Sequence, residues 1–201
     1  MQTKISKLLL ECDAIKFGEF VGSSGRTLPY YVDLRLIPSY PGIFHKIVSA
    51  YIKLIEENKL VFDRIAGVPI GALPFASAVC YRMKKPLLIL RKEPKGHGRA
   101  KQIEGILNKN DKVLVIEDLV TTGGSVIKTK EVLEGEGAIV PDAVVILDRL
   151  EGGKENLESN GLKLHKVTDT LNVISELKKE NLISIENYNK IFSYIATFQN
   201  K

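Results

Sequence analysis

Apolar residues recur at helical spacing over residues 4–17, at Ile5, Leu8, Leu9, Cys12 and Ile15, and this predicts a helix there. The next stretch, FGEFVGSSGRTLPYYVDLR, is punctuated by Gly, Ser and Pro, with a strand expected over Tyr31–Leu34. A second amphipathic helix is predicted across 41–57, through Ile43, Ile47, Val48, Tyr51, Leu54 and Ile55. Beyond it the pattern turns rhythmic. Short apolar runs at Phe62–Val68, Pro86–Leu90, Val113–Ile116, Ala143–Leu147 and Leu162–Val167 read as strands. Helices are expected at 72–83, 125–135 and 153–160, with two more near 170–179 and 184–198 closing the chain. The polar stretch 92–105 reads as a loop. Apolar strands alternating with helices imply a mostly parallel sheet covered on both faces. The whole span 1–201 therefore reads as one α/β domain, with about 1–40 contributing a small N-terminal hood.

Composition narrows the class. With 44% hydrophobic and 26% charged residues, the chain is ordinary for a folded domain and is not expected to be disordered. At 201 residues it is long enough to bury a core without staples. Cys12 and Cys80 lie far apart among apolar residues, with three scattered histidines, so neither a disulfide framework nor a zinc site is expected. No apolar run approaches the roughly 20 residues of a membrane span. The opening MQTKISKLLLECD does not read as a signal peptide. A cytoplasmic protein is the expectation. The net charge of +5 suits an anionic ligand, although basic solubility residues produce the same sum.

The chemistry concentrates in residues 112–133, KVLVIEDLVTTGGSVIKTKEVL. A buried strand, Val113–Ile116, is followed by two acids, Glu117 and Asp118, at the end where open α/β sheets bind ligands. Leu119 and Val120 lead to Thr121, Thr122, Gly123, Gly124 and Ser125, and then to a helix. Glycines let backbone N–H groups approach an anion, hydroxyls add donors, and the helix N-terminus favours negative charge. The acids suit hydroxyl groups, or a Mg²⁺ ion, which prefers oxygen ligands. Strand, acids and cup together describe a site for a ribose 5-phosphate. A plain strand–helix turn with a cap is the simpler reading of TTGGS alone, and the two adjacent acids weigh against it. The loop lacks the lysine of a nucleotide-triphosphate loop and is not GxGxxG.

IEDLVTTGGS resembles the PRPP-binding motif of the type I phosphoribosyltransferases. RKEPKGHGRAKQIEG, residues 91–105, is similar to the mobile catalytic loop of the orotate phosphoribosyltransferases, patterned RKExKxHG. On its own it is a Gly-containing loop with Arg91, Lys92, Lys95, Arg99 and Lys101, and a solvated charged loop is its simpler reading; His97 within it suits a pyrophosphate leaving group. Residues 17–35 resemble the family's hood, GVPIGALPFA its pyrophosphate turn, and LDRLEGGKENLESNGLKLHKV the end of its domain. The likeness covers about residues 14–170 and is closest to the transferase half of UMP synthases. Two departures stand out. Ser23 replaces a hood lysine, and Ile70-Gly71 replaces the bacterial Tyr-Lys of the pyrophosphate turn.

The resemblance implies a type I phosphoribosyltransferase fold and transfer of phosphoribosyl from PRPP to orotate, giving orotidine 5′-monophosphate and pyrophosphate with Mg²⁺. It assigns Lys95, His97 and Asp118 to catalysis. It assigns Arg91, Lys92, Lys95, His97 and the run from Glu117 through Leu119 and Val120 to Ser125 to PRPP, and Thr121 and Arg149 to orotate. Direct metal ligands are not assigned beyond Glu117 and Asp118, with Mg²⁺ arriving on PRPP. Asp118 is also the candidate acceptor for the orotate N1 proton. A homodimer sharing the mobile loop between subunits is implied, as is association with an orotidylate decarboxylase, since the family sometimes fuses the two. His45, His165 and the pair Tyr30-Tyr31 read as structural. Asp148 either orients Arg149 or ends a strand. Two other functions compete: a purine transferase, against which the RKEPKGHG loop and the LDR segment argue, and a PRPP-sensing regulator that binds nucleic acid. No DNA-binding element is evident, and neither nucleic acid nor membrane is an expected partner.

Overall fold

The computed structural model describes residues 4–22, 25–91 and 102–199. Helix α1 (Ile5–Glu11) is shorter than its periodicity predicts. Asp13 takes a left-handed conformation at φ 54°, which stops the helix. Ile15 then starts strand β1 (Ile15–Val21), which pairs antiparallel with β2 (Thr27–Val32), Ile15 against Val32. The apolar positions read as a single helix therefore serve two elements. The strand expected over Tyr31–Leu34 lies earlier, because Asp33 caps a 3-10 turn, Leu34–Ser39, by accepting the Arg35 N–H. Helix α2 (Pro41–Glu57) follows as predicted and buries Ile47, Val48, Tyr51 and Ile55, each burial worth ~1.5–3 kcal/mol.

The remaining elements are β3 (Arg64–Gly67), α3 (Leu73–Met83), β4 (Leu87–Leu90), β5 (Ile103–Glu104), β6 (Val113–Val120), α4 (Gly124–Gly135), β7 (Asp142–Asp148), α5 (Gly153–Ser159), β8 (Lys163–Asp169), α6 (Thr170–Lys179) and α7 (Ile185–Gln199). Six strands form one sheet in the order β5-β4-β3-β6-β7-β8. All pairings are parallel except β4 with β5. The edge strand β5 sits in a stretch expected to be loop; it forms because Leu90 pairs with Ile103 and the Arg91 N–H bonds Gln102. The hairpin β1–β2 is a separate two-stranded sheet, and Tyr194 of α7 lies edge-on to Tyr30 within it. The central strands read as continuous apolar runs because both faces are covered. Val113–Ile116 and Ala143–Leu147 are buried throughout. No helix among the described residues is long and apolar enough to cross a membrane. Cys12 and Cys80 are buried free thiols, as their apolar neighbours imply.

Chain order places the site. β3 is followed by β4 on one side of the sheet, while β6 returns to the other side of β3. The crevice between the carboxyl ends of β3 and β6 is a topological switch point, where doubly wound sheets bind ligands.

Candidate active site

A cleft of about 640 Å³ opens at that point. Its walls are Val32–Arg35 from the hood junction, Pro69–Gly71 after β3, and Glu117–Val126 from β6 into α4. The two acids do not follow the strand, as expected, but belong to it. β6 runs on to Val120 because it keeps pairing with β7, Leu119 with Leu147 and Val120 with Asp148. Strand alternation then gives the two acids different burial: Glu117 is buried and Asp118 half-buried, and both border the cleft.

That difference sets their chemistry. Burial pushes the Glu117 carboxyl well above its usual range, and the neighbouring Asp118 charge adds to the effect. Glu117 therefore holds its proton more tightly than a solvated carboxyl does, and its Oε1 accepts the Asp118 N–H at 2.9 Å. Asp118 Oδ1 accepts the Leu119 N–H at 2.7 Å. From below, the buried Tyr51 hydroxyl donates to the Glu117 carbonyl at 2.5 Å and fixes α2 to this part of β6.

The cup follows. Gly123, at φ 82°, begins α4 without a side-chain cap, so the first-turn N–H groups face the cleft without an internal partner. Thr122, Gly124 and Ser125 are exposed at its mouth. Helix α5 braces the cup from behind. Asn156 donates to the Thr122 carbonyl at 2.7 Å, and Gly153 packs so closely that a Cβ there would overlap the Thr121 carbonyl. Gly71 is equally tight against the acids, since a Cβ on it would sit 2.5 Å from Asp118 Oδ2.

Arg149 is not part of the cleft lining. Its backbone N–H bonds the Val120 carbonyl, which keeps it beside the site. Its guanidinium stacks over the Tyr30 ring at 4.8 Å, with Nε donating to the Tyr30 hydroxyl at 3.1 Å. Nη2 lies 2.7 Å from Glu151 Oε1 as an ion pair. Burial works against the Arg149 charge, but Tyr30 and Glu151 outweigh it and hold the proton more tightly. Burial raises Glu151 against the pull of Arg149, and raises Tyr194 to about 12. Sequence reasoning missed Glu151, although it stands two residues beyond Arg149.

Thr121 lines the cleft beside Val120, and Leu119 lines it too. Arg91 lies in a neighbouring pocket with Lys128 and pairs with Glu104 at 2.6 Å. Lys92, Lys95 and His97 fall outside the described residues, as does Ser23. Asp148 is 1% exposed and accepts from the Leu150 N–H and from Lys166, so it shapes the turn that carries Arg149. His165 is buried against Asp142 at 2.7 Å, and His45 is exposed on α2. Tyr30 is fully buried in the hood, whereas Tyr31, with its ring 5.6 Å from that of Phe20, stays exposed. Asp33 and Arg35 were not singled out from the sequence. They line the cleft as a bonded pair, and the Arg35 hydrogen bonds hold the Asp33 carboxyl below its usual range. Arg35 was visible only as the last position of the hood resemblance.

The comparisons agree with this geometry. Residues 38–174 match the model of the phosphoribosyl transferase domain. An orotate phosphoribosyltransferase of Pyrococcus horikoshii is 41% identical over 184 residues, 92% of this chain and 97% of that protein. The uridine 5′-monophosphate synthase of Bos taurus is 41% identical over 187 residues, 93% of this chain, and the match spans only 39% of that protein. Among solved structures, the Aeropyrum pernix orotate phosphoribosyltransferase superposes with TM-score 0.80 at 33% identity, covering 87% of this chain and 98% of that one. The Leishmania donovani UMP synthase gives 0.85 at 33% identity, covering 96% of this chain and 42% of that one.

Proposed function

This chain belongs to the phosphoribosyltransferases and groups with their orotate-specific members, and on that premise we propose that it makes orotidine 5′-monophosphate from PRPP and orotate. The step releases pyrophosphate and serves pyrimidine biosynthesis. The carrying observation is the cleft itself, in which the two acids of β6 run without a break into an uncapped phosphate cup.

In this reading the cup from Thr121 to Ser125 binds the 5-phosphate through backbone N–H groups and hydroxyls. Glu117 and Asp118 hydrogen-bond the ribose hydroxyls. As the bond from C1′ to the pyrophosphate oxygen breaks, C1′ gains positive character, which the Asp118 carboxylate favours. N1 of orotate forms the new bond and gives up its proton, and Asp118 is the group available to take it. Thr121 and Arg149 serve orotate, with Arg149 on its carboxylate. Arg91, Lys92, Lys95 and His97 stabilise the departing pyrophosphate; Lys95→Ala is expected to lower kcat far more than it weakens orotate binding.

Mg²⁺ fits the donor set only as an ion carried in by the substrate. Asp118 is the half-buried carboxyl of β6 at the cleft, and no group of three candidate ligands occurs among the described residues. Mg²⁺ habitually takes one or two carboxylates plus substrate phosphates and water, and it supplies charge neutralisation of the pyrophosphate. The reading extends to a cytoplasmic homodimer that shares its loops, and to association with a decarboxylase, in line with the fused relatives.

The test is loss of orotate ultraviolet absorbance on mixing protein, PRPP, Mg²⁺ and orotate. A decrease that needs every component and reverses with pyrophosphate is expected. No change while PRPP still binds would transfer the reading to another base, with hypoxanthine and guanine next.

A further inference from the structure

The cleft's charge is unbalanced for such a substrate. Among the described lining residues, Asp33, Glu117 and Asp118 are acidic, and Arg35 is the single cation. PRPP adds a dense negative charge to this space. With its 5-phosphate in the cup and its ribose against Glu117 and Asp118, the far end of the ligand falls to the remaining lining, Pro69–Gly71 and Asp33–Arg35.

Arg35 is oriented rather than loose there. Nε donates to Asp33 Oδ1 at 2.7 Å and Nη2 to Asp33 Oδ2 at 2.9 Å, a two-pronged pair. Asp33 is itself fixed, because Oδ1 also accepts the Arg35 N–H as the cap of the 3-10 turn. Two of the five guanidinium N–H groups are thus committed, and three remain on the outer edge. The side chain is 64% exposed where it borders the cleft. A planar fork held on one edge and open on the other is suited to bind a phosphate group in two-pronged fashion.

We propose that Arg35, oriented by Asp33, binds the diphosphate end of PRPP and of the pyrophosphate product. The inference rests on the phosphoribosyl-transfer reading and adds a residue to it. It explains how the hood junction takes part in the site.

The experiment compares three ligands on the intact chain by calorimetry with Mg²⁺ present: PRPP, pyrophosphate and ribose 5-phosphate. Arg35→Ala should weaken PRPP and pyrophosphate on the order of tenfold, the modest size reflecting exposure, and leave ribose 5-phosphate unchanged. Arg35→Lys, which keeps the charge but loses the fork, should fall between. Equal weakening of ribose 5-phosphate would mean a general field effect and overturn the assignment. Unchanged PRPP affinity in Arg35→Ala would overturn it directly. A wild-type chain that binds none of the three would overturn the functional reading and this inference with it, a result distinct from the other two.

Discussion

Gly71 and Asp118 share a gap too small for a methyl group: a Cβ on Gly71 would lie 2.5 Å from Asp118 Oδ2 and 3.2 Å from its Cγ. The turn after β3 therefore fixes where the cleft's open carboxylate can stand. Gly71→Ala should displace Asp118 and lower kcat/KM by about 10- to 100-fold, since small misplacements of reacting groups are expensive. Stability should change by less than about 1 kcal/mol, or roughly 2–4 °C in Tm, because the gap opens to the cleft. Steady-state kinetics beside a thermal melt checks this, and an unchanged rate would remove the constraint.

Glu117 predicts a pH dependence of stability. Its folded-state pKa is raised above the ordinary 4.5, so the folded chain holds a proton that the unfolded chain releases. Stability contributed by this group is full below about 4.5 and declines as pH rises through the folded-state value. Glu117→Gln should flatten that decline in denaturant midpoints measured across pH, and it should keep far more activity than Asp118→Asn. A Glu117→Gln variant with the wild-type pH slope would show that Glu117 is not the titrating group.

Gly153 tests the brace behind the cup. A side chain there would collide with the Thr121 carbonyl and approach Val120 Cγ1 at 2.5 Å. Gly153→Ala should cost about 1–3 kcal/mol through overpacking. It should also weaken PRPP and ribose 5-phosphate alike, because the damaged part is the phosphate cup. A variant that loses stability but binds both ligands normally would show that the cup tolerates movement of α5.

Arg149 and Glu151 can be separated by a double-mutant cycle. Arg149→Ala should raise the KM for orotate with little effect on PRPP, and should cost about 1–3 kcal/mol by stranding the buried Glu151 carboxyl. Adding Glu151→Gln should restore most of the stability without restoring the orotate KM. If both recover together, Arg149 acts through structure alone.

Much of this protein was legible in its sequence. The apolar runs that become β3, β6, β7 and β8 announce a parallel sheet, because strands covered on both faces have no reason to alternate. The IEDLVTTGGS run announces a candidate phosphate cup, because two acids directly precede its glycines and hydroxyls, whereas TTGGS alone reads more simply as a capped strand–helix turn. Local pattern failed where a distant partner decided the outcome. Ile15 fits the helical spacing of α1, yet pairing with Val32 makes it a strand residue. Glu117 and Asp118 look alike in sequence, and only the continued pairing of β6 with β7 makes them strand neighbours, one buried and one half-buried, at the same cleft. Arg149 stands in the sequence beside Asp148 alone, and only the fold shows that Tyr30, from the hood, and Glu151 hold it. Sequence determined which chemistry was present. Tertiary structure decided which groups are buried, which are open and which face one another, because burial and distance depend on strands brought together from far along the chain.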